Sequence, residues 1–170
     1  MDSQLVNRVL ELAAEIQQIP APTFNESQRA KFIHQRFEQE NLQDIQIDAI
    51  GNVFGRLPGS GSELPVVISA HLDTVFPPDT DLDLRLGTDK ISGPGIGDNA
   101  IGLAGLIGLL WDLQVDQVPL VSDLWLVANV GEEGLGDLRG MREVVQRFEG
   151  QVKAYIVLEG MALGQVYHRG

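Results

Sequence analysis

Apolar residues at Leu5, Val9, Leu12, Ala13 and Ile16 recur at helical spacing until Pro20 and Pro22 end the pattern. They predict a first helix with one face outside the core. Asn25, with Gln28 three residues on, marks the cap of a second helix whose apolar stripe runs through Ala30, Ile33 and Phe37. The period then shortens to two. Ile45 and Ile47, then Val53, Phe54 and Leu57, flank Gly51-Asn52 and predict a hairpin or two short neighbouring strands. GSGSELP reads as a loop.

Beyond it the alternation gives way to continuous apolar runs. PVVISAHLD, SDLWLVANVGEE and KAYIVLEG are short, rich in β-branched residues and bounded by turn residues. Residues 66–70, 124–130 and 154–158 are therefore expected as neighbouring inner strands, buried on both faces. DTDLDLRLGTDKISG suggests a small exposed β element, and LRGMREVVQRF a helix. The apolar run 100–111 falls short of the roughly 20 residues that span a bilayer and reads as a buried helix. Gly102, Gly105 and Gly108 leave a flat strip on it for close packing. Strands alternating with helices imply a three-layer α/β/α sandwich, with functional residues where strands end and helices begin.

Composition narrows the chemistry. A chain of 170 residues with 44% hydrophobic content can bury one sizeable core, which argues for a single domain. The net charge of -12, with no Lys or Arg cluster, repels phosphate backbones, so nucleic acid is not an expected partner. Cysteine is absent, so there are no disulfides or thiolate sites, and a metal would have to be held by His, Asp and Glu. The first 20 residues mix charges into a helical pattern without the features of a signal peptide; a cytoplasmic protein without membrane contact is expected.

Four places along the chain offer such ligands. His71 and Asp73 stand at the end of the first apolar strand, and residues two apart on a strand project from the same face. Asp98 follows GPGIG directly before a helix predicted to begin at Asn99, where negative charge is favoured. Glu132 and Glu133 close the second strand and Glu159 the third. Each has an ordinary explanation taken singly: a strand-end histidine, a helix cap, solvated loop acids. GPGIG also mimics a dinucleotide-binding loop, but Asp98 stands where the third glycine of that motif would be.

The ordered set, His-x-Asp, Gly-rich-Asp-Asn, Glu-Glu, Glu, resembles the co-catalytic zinc hydrolases that include peptidase T, carnosinase-type dipeptidases, glutamate carboxypeptidase, aminoacylase, acetylornithine deacetylase and succinyl-diaminopimelate desuccinylase. The resemblance covers nearly the whole chain. It implies a zinc-exopeptidase-like catalytic domain holding two zinc ions, or cobalt or manganese in their place. SAHLDTVFP matches the first motif, with His71 a ligand of one zinc and Asp73 supporting it. GPGIGDNAIG matches the second, with Asp98 bridging both metals through a cis Asp98–Asn99 peptide bond. In NVGEEGLG the resemblance makes Glu132 the general base and Glu133 a ligand of the second zinc. Glu159 matches the remaining ligand of the first, where most members carry Asp.

The resemblance further implies that 1–170 is the N-terminal portion of the catalytic domain. A lid domain used for homodimerisation, and a later catalytic segment with a further zinc-binding histidine, would lie outside it. His34 and His168 are not expected as ligands. The implied activity is hydrolysis of peptide or N-acyl amide bonds beside a free carboxylate, in small peptides or N-acyl amino acids, with this chain inactive alone. Two other readings remain open: a metal- or partner-binding domain without turnover, and a nucleotide-binding domain built on GPGIG.

Overall fold

The computed structural model of the chain describes residues 3–160 and 164–168. Helix α1 (Ser3–Gln17) and helix α2 (Ser27–Gln39) come first, followed by strands β1 (Gln43–Ile47), β2 (Val53–Leu57) and β3 (Glu63–His71). A small excursion, β4 (Arg85–Leu86) and β5 (Ile91–Ser92), leads to helix α3 (Ile101–Val115). Strand β6 (Ser122–Asn129), helix α4 (Arg139–Phe148) and strand β7 (Ala154–Val157) complete the order.

The main sheet runs β1-β2-β6-β3-β7. β3 pairs in parallel with β6 on one side and β7 on the other, whereas β1 and β2 are antiparallel, as are β2 and β6. Alternate residues serve opposite faces. Ile68, Ala70, Leu124, Leu126 and Ala128 join the buried faces of α1, α2 and α3 in the larger core, while Val67, Trp125 and Val127 pack with Val144, Met141 and Phe148 of α4. The expected three layers result, with α4 the one α-helix on its side among the described residues.

Several local expectations are revised. The first strand begins two residues before Pro65, with a register shift against β6 between Glu63 and Val66, because proline has no N–H for the ladder. The three apolar strands are neighbours, but only β3 and β6 are inner. β7 pairs with β3 alone among the described residues, and its Ile156 and Val157 are 45% and 58% exposed. An apolar run marks what a strand can bury, and enclosure depends on what lies over it. α2 begins at Ser27 after Glu26, so Asn25 is not its cap; its N–H instead closes a turn onto the Pro22 carbonyl at 2.8 Å.

α3 is apolar on all sides because it is enclosed. Leu103, Ala104, Leu106, Ile107 and Leu110 are buried against α1 and the sheet. The segment Ile96–Val115 is long and apolar enough to cross a membrane by length and composition, and that same burial accounts for its character. Gly108 sits where a Cβ would meet Val9 Cγ2 of α1 at 2.6 Å, so this glycine of the strip serves close helix packing, whereas Gly102 makes room for the Asn99 side chain and Gly105 has only ordinary contact with Leu158.

Candidate metal centre

At the end of β3 the backbone stays extended past His71. Leu72 N–H donates to the Asn129 carbonyl at 2.7 Å, and Thr74 N–H donates to Ala21 at 2.9 Å. Asp73, two residues on from His71, is fully buried. Its Oδ1 accepts the Glu132 N–H at 2.9 Å, and its Oδ2 accepts the Glu133 N–H and the Thr23 hydroxyl, both at 3.0 Å. One carboxylate thus holds the loop that carries the two glutamates. Gly131 makes the sharp turn before them at φ +59°, a conformation that suits a residue without Cβ.

The glycine loop differs from its predicted form. The helix does not start at Asn99: a π-type turn, Ile96–Ala100, intervenes, with Asp98 and Asn99 outside helical geometry, and α3 proper starts at Ile101. The Asp98–Asn99 peptide bond is cis, as the resemblance implies. Asp98 is therefore not a helix cap. Asn99 does the tethering instead: its Oδ1 accepts the Gly102 N–H at 3.0 Å, and its Nδ2 donates to the Leu158 carbonyl at 2.9 Å. A buried asparagine thus ties the start of α3 to the end of β7. Gly160 completes the junction, since a Cβ there would lie 1.6 Å from the Gly97 carbonyl oxygen.

These tethers bring His71, Asp98, Glu133 and Glu159 together at the C-terminal end of the parallel strands. His71 Nε2 lies 2.9 Å from Asp98 Oδ1 and 3.6 Å from Glu159 Oε2. One ligand atom from each of His71, Asp98 and Glu133 falls within 4.8 Å of the others. Two donors bound at about 2.0–2.2 Å to one tetrahedral ion stand roughly 3.3–3.6 Å apart, so the His71–Glu159 spacing suits a shared cation, while the His71–Asp98 spacing is shorter than that range. The bonding state points the same way. His71 Nδ1 and Nε2 and Asp98 Oδ1 are buried without a hydrogen-bond partner, although nearly all such atoms in folded proteins are satisfied.

Asp73 Oδ1 faces His71 Nδ1 at 3.6 Å, an ion-pair distance longer than a hydrogen bond. Burial disfavours the imidazolium, but the carboxylate of Asp73, with those of Asp98 and Glu132, outweighs it and raises His71 to about 9. Burial likewise opposes charge on Asp73, yet His71 and the two loop N–H groups hold it down to about 2. Glu132 and Glu133 are both raised, first by desolvation and then by neighbouring carboxylates. A divalent cation bound among these acids would offset the repulsion between their charges.

His34 sits on α2 with its Nδ1 3.7 Å from Glu38, and His168 lies in the exposed end of the chain; neither joins the cluster. Sequence reasoning missed Thr23, Asn99 as a tether, and two buried charges at the start of α2, Glu26 just before it and Arg29 in its first turn. Glu26 accepts the N–H groups of Phe24 at 3.0 Å and Gly131 at 3.1 Å, and Arg29 donates to backbone carbonyls. A signal for Arg29 was present: it occupies the core-facing register of Ile33 and Phe37.

Fold and site together define an α/β domain with an imidazole–carboxylate cluster that could hold a metal ion at the C-terminal end of the parallel strands. The chain belongs to peptidase family M28, whose pattern matches residues 52–166. It is 30% identical over 145 residues to cytosol non-specific dipeptidase of Escherichia coli (strain K12). That alignment covers 76% of this chain and 30% of the dipeptidase, so the chain spans about a third of that relative's length. Among solved structures, aminopeptidase PepT from Bacillus cereus ATCC 10987 superposes with a TM-score of 0.76 at 20% identity, over 90% of this chain and 43% of that one. An aminopeptidase from the archaeon Desulfurococcus kamchatkensis gives 0.75 at 14% identity, over 94% and 66%. At these identities the likeness is one of fold. Membership in a peptidase family agrees with the resemblance carried by the motifs.

Proposed function

We propose that this chain is the N-terminal part of the catalytic domain of a two-zinc hydrolase that cleaves short peptides, with dipeptides the first substrates to test and N-acyl amino acids the second. The observation that carries the reading is the meeting of His71, Asp98, Glu133 and Glu159 around unsatisfied buried ligand atoms. His71, Asp98 and Glu159 would hold the first ion, and Asp98 and Glu133 would contribute to the second. Zinc bound there would act as a Lewis acid on the scissile carbonyl and stabilise charge developing on its oxygen.

The chain's own groups do the rest. Asp73 orients the His71 ring and anchors the loop of Glu132 and Glu133. Glu132 takes the proton from the attacking water and returns it to the leaving nitrogen; its raised pKa suits both tasks. Residues outside this chain read the substrate carboxylate and supply a histidine to the second ion, and a lid domain there makes the homodimer. A cytoplasmic setting is supported by the dipeptidase relative, which is named as a cytosolic protein. The test is zinc titration of this chain, with binding removed by His71→Ala, followed by a dipeptide hydrolysis assay of the full gene product. Turnover removed by Glu132→Gln supports the proposal; zinc binding without any turnover in that product would favour a non-catalytic metal-binding domain instead.

A further inference from the structure

α2 carries one residue that an amphipathic helix does not need. Arg29 lies on the stripe of Ala30, Ile33 and Phe37 and is 1% exposed. An apolar side chain would complete that packing, whereas a buried guanidinium requires partners for its N–H groups and compensation for its charge. Its bonds all go to backbone carbonyls. Nε and Nη2 donate to Ile19 at 3.1 and 2.6 Å, and Nη1 donates to Leu72 at 2.7 Å. Burial lowers its pKa to about 10 and the charge of Asp73 pulls it back, so the group remains a cation at neutral pH.

The second carbonyl matters because of where it stands. Leu72 lies between His71 and Asp73, and its N–H is already held by Asn129 at 2.7 Å. Arg29 clamps the other end, so both peptide units joining the imidazole to the carboxylate are immobilised. The plane of the Leu72–Asp73 peptide sets the direction in which the Asp73 side chain leaves the backbone, and Asp73 in turn carries the loop of Glu132 and Glu133. We infer that Arg29 is a positioning residue of the metal centre: its planar fork fixes the Leu72 carbonyl against Ile19, and with it the angle between the His71 ring and the Asp73 carboxylate. The inference rests on the proposed metal-binding reading of the same site.

The test uses the 170-residue chain and three variants, Arg29→Met, Arg29→Lys and the control Ile33→Val. Met keeps an unbranched stem without donors, Lys keeps the charge without the planar fork, and Ile33→Val loosens the same helix face away from Leu72. Zinc affinity is measured by competition with a chromophoric chelator, ligand geometry by the visible absorption of bound cobalt(II), and folding by circular dichroism and urea midpoint. Arg29→Met is expected to lose about 10–100-fold in zinc affinity and to shift the cobalt band while its far-ultraviolet spectrum is unchanged. Arg29→Lys should fall between it and the parent, and Ile33→Val should lower the urea midpoint alone. A folded Arg29→Met with parental affinity and cobalt spectrum overturns the inference and leaves the metal centre standing. If Arg29→Met does not fold, Arg29→Lys decides: parental behaviour overturns the inference, and a selective loss of affinity supports it. Failure of the parent chain to bind either metal overturns the metal-centre reading itself, and this inference with it.

Discussion

The buried carboxylate of Asp73 accepts the backbone N–H of Glu132 at 2.9 Å, so one acid of the site holds the loop on which another is carried. The same carboxylate receives the N–H of Glu133 and faces the His71 ring. Asp73→Asn would present an amide NH2 to one of these donors and remove the charge opposite His71. It should lower unfolding stability by about 1–3 kcal/mol, the cost of leaving a buried donor unpaired. Zinc affinity should drop about 10–100-fold. Urea unfolding and chelator competition check both; an unchanged urea midpoint would show that the carboxylate does not hold the loop.

The metal-free chain should lose stability in mildly alkaline solution. Burial disfavours a charged His71, but Asp73 and its acidic neighbours raise the group to about 9, above the ordinary 6.5. A raised folded-state value stabilises fully below about pH 6.5, and that contribution disappears as pH climbs through about 9. Urea midpoints measured from pH 6 to 10 should therefore decline across this interval and should flatten in His71→Gln. Zinc affinity should rise over the same range, because the metal must displace the imidazole proton.

Gly160→Ala tests the junction that brings Glu159 to Asp98. The new Cβ would sit 1.6 Å from the Gly97 carbonyl oxygen, so one of the two backbones must move. The expected result is at least about a tenfold loss of zinc affinity, with a smaller effect on thermal unfolding, since Gly160 lies past the last strand and outside both cores. Equal zinc affinity in the variant would remove Glu159 from the ligand set.

The 170-residue chain alone, with zinc in excess, should not hydrolyse dipeptides or N-acyl amino acids. Among the described residues His71 is the one histidine in the candidate cluster, and it faces Asp98 and Glu159, so a second ion would be left with Asp98 and Glu133. Without the groups that orient a substrate, positioning contributes little to lowering the barrier, a loss of several kcal/mol. Measurable turnover that disappears in Glu132→Gln would refute this, by showing that the residues present suffice.

Much of the candidate cluster was legible because each of its side chains is announced by its neighbours. A β-branched run ending in His-x-Asp, a glycine loop ending in Asp-Asn, and two further runs ending in acids place His71, Asp98, Glu133 and Glu159 at strand or helix ends. Those are local properties, governed by side-chain period and turn chemistry. The close approach of Gly108 to Val9 was legible for the same reason.

Other features depend on which segments become neighbours. β6 inserts between β2 and β3, which are adjacent in sequence, and only that insertion carries Glu132 and Glu133 to Asp73. Asp98 reads locally as a helix cap, but the π-type turn and the Asn99 bond to Leu158 take it out of that role. β7 has the apolar run of an inner strand and lies at the edge, because strand order is decided by pairing and coverage that no single run encodes. The sequence alone determined the residue types of the candidate cluster, their order and the class of fold, through short-range periodicity and turn-forming residues. The tertiary structure alone decided that Thr23, Glu26, Arg29 and Asn99 support them, since each acts through a hydrogen bond to a carboxylate or backbone group brought near only when the chain is folded.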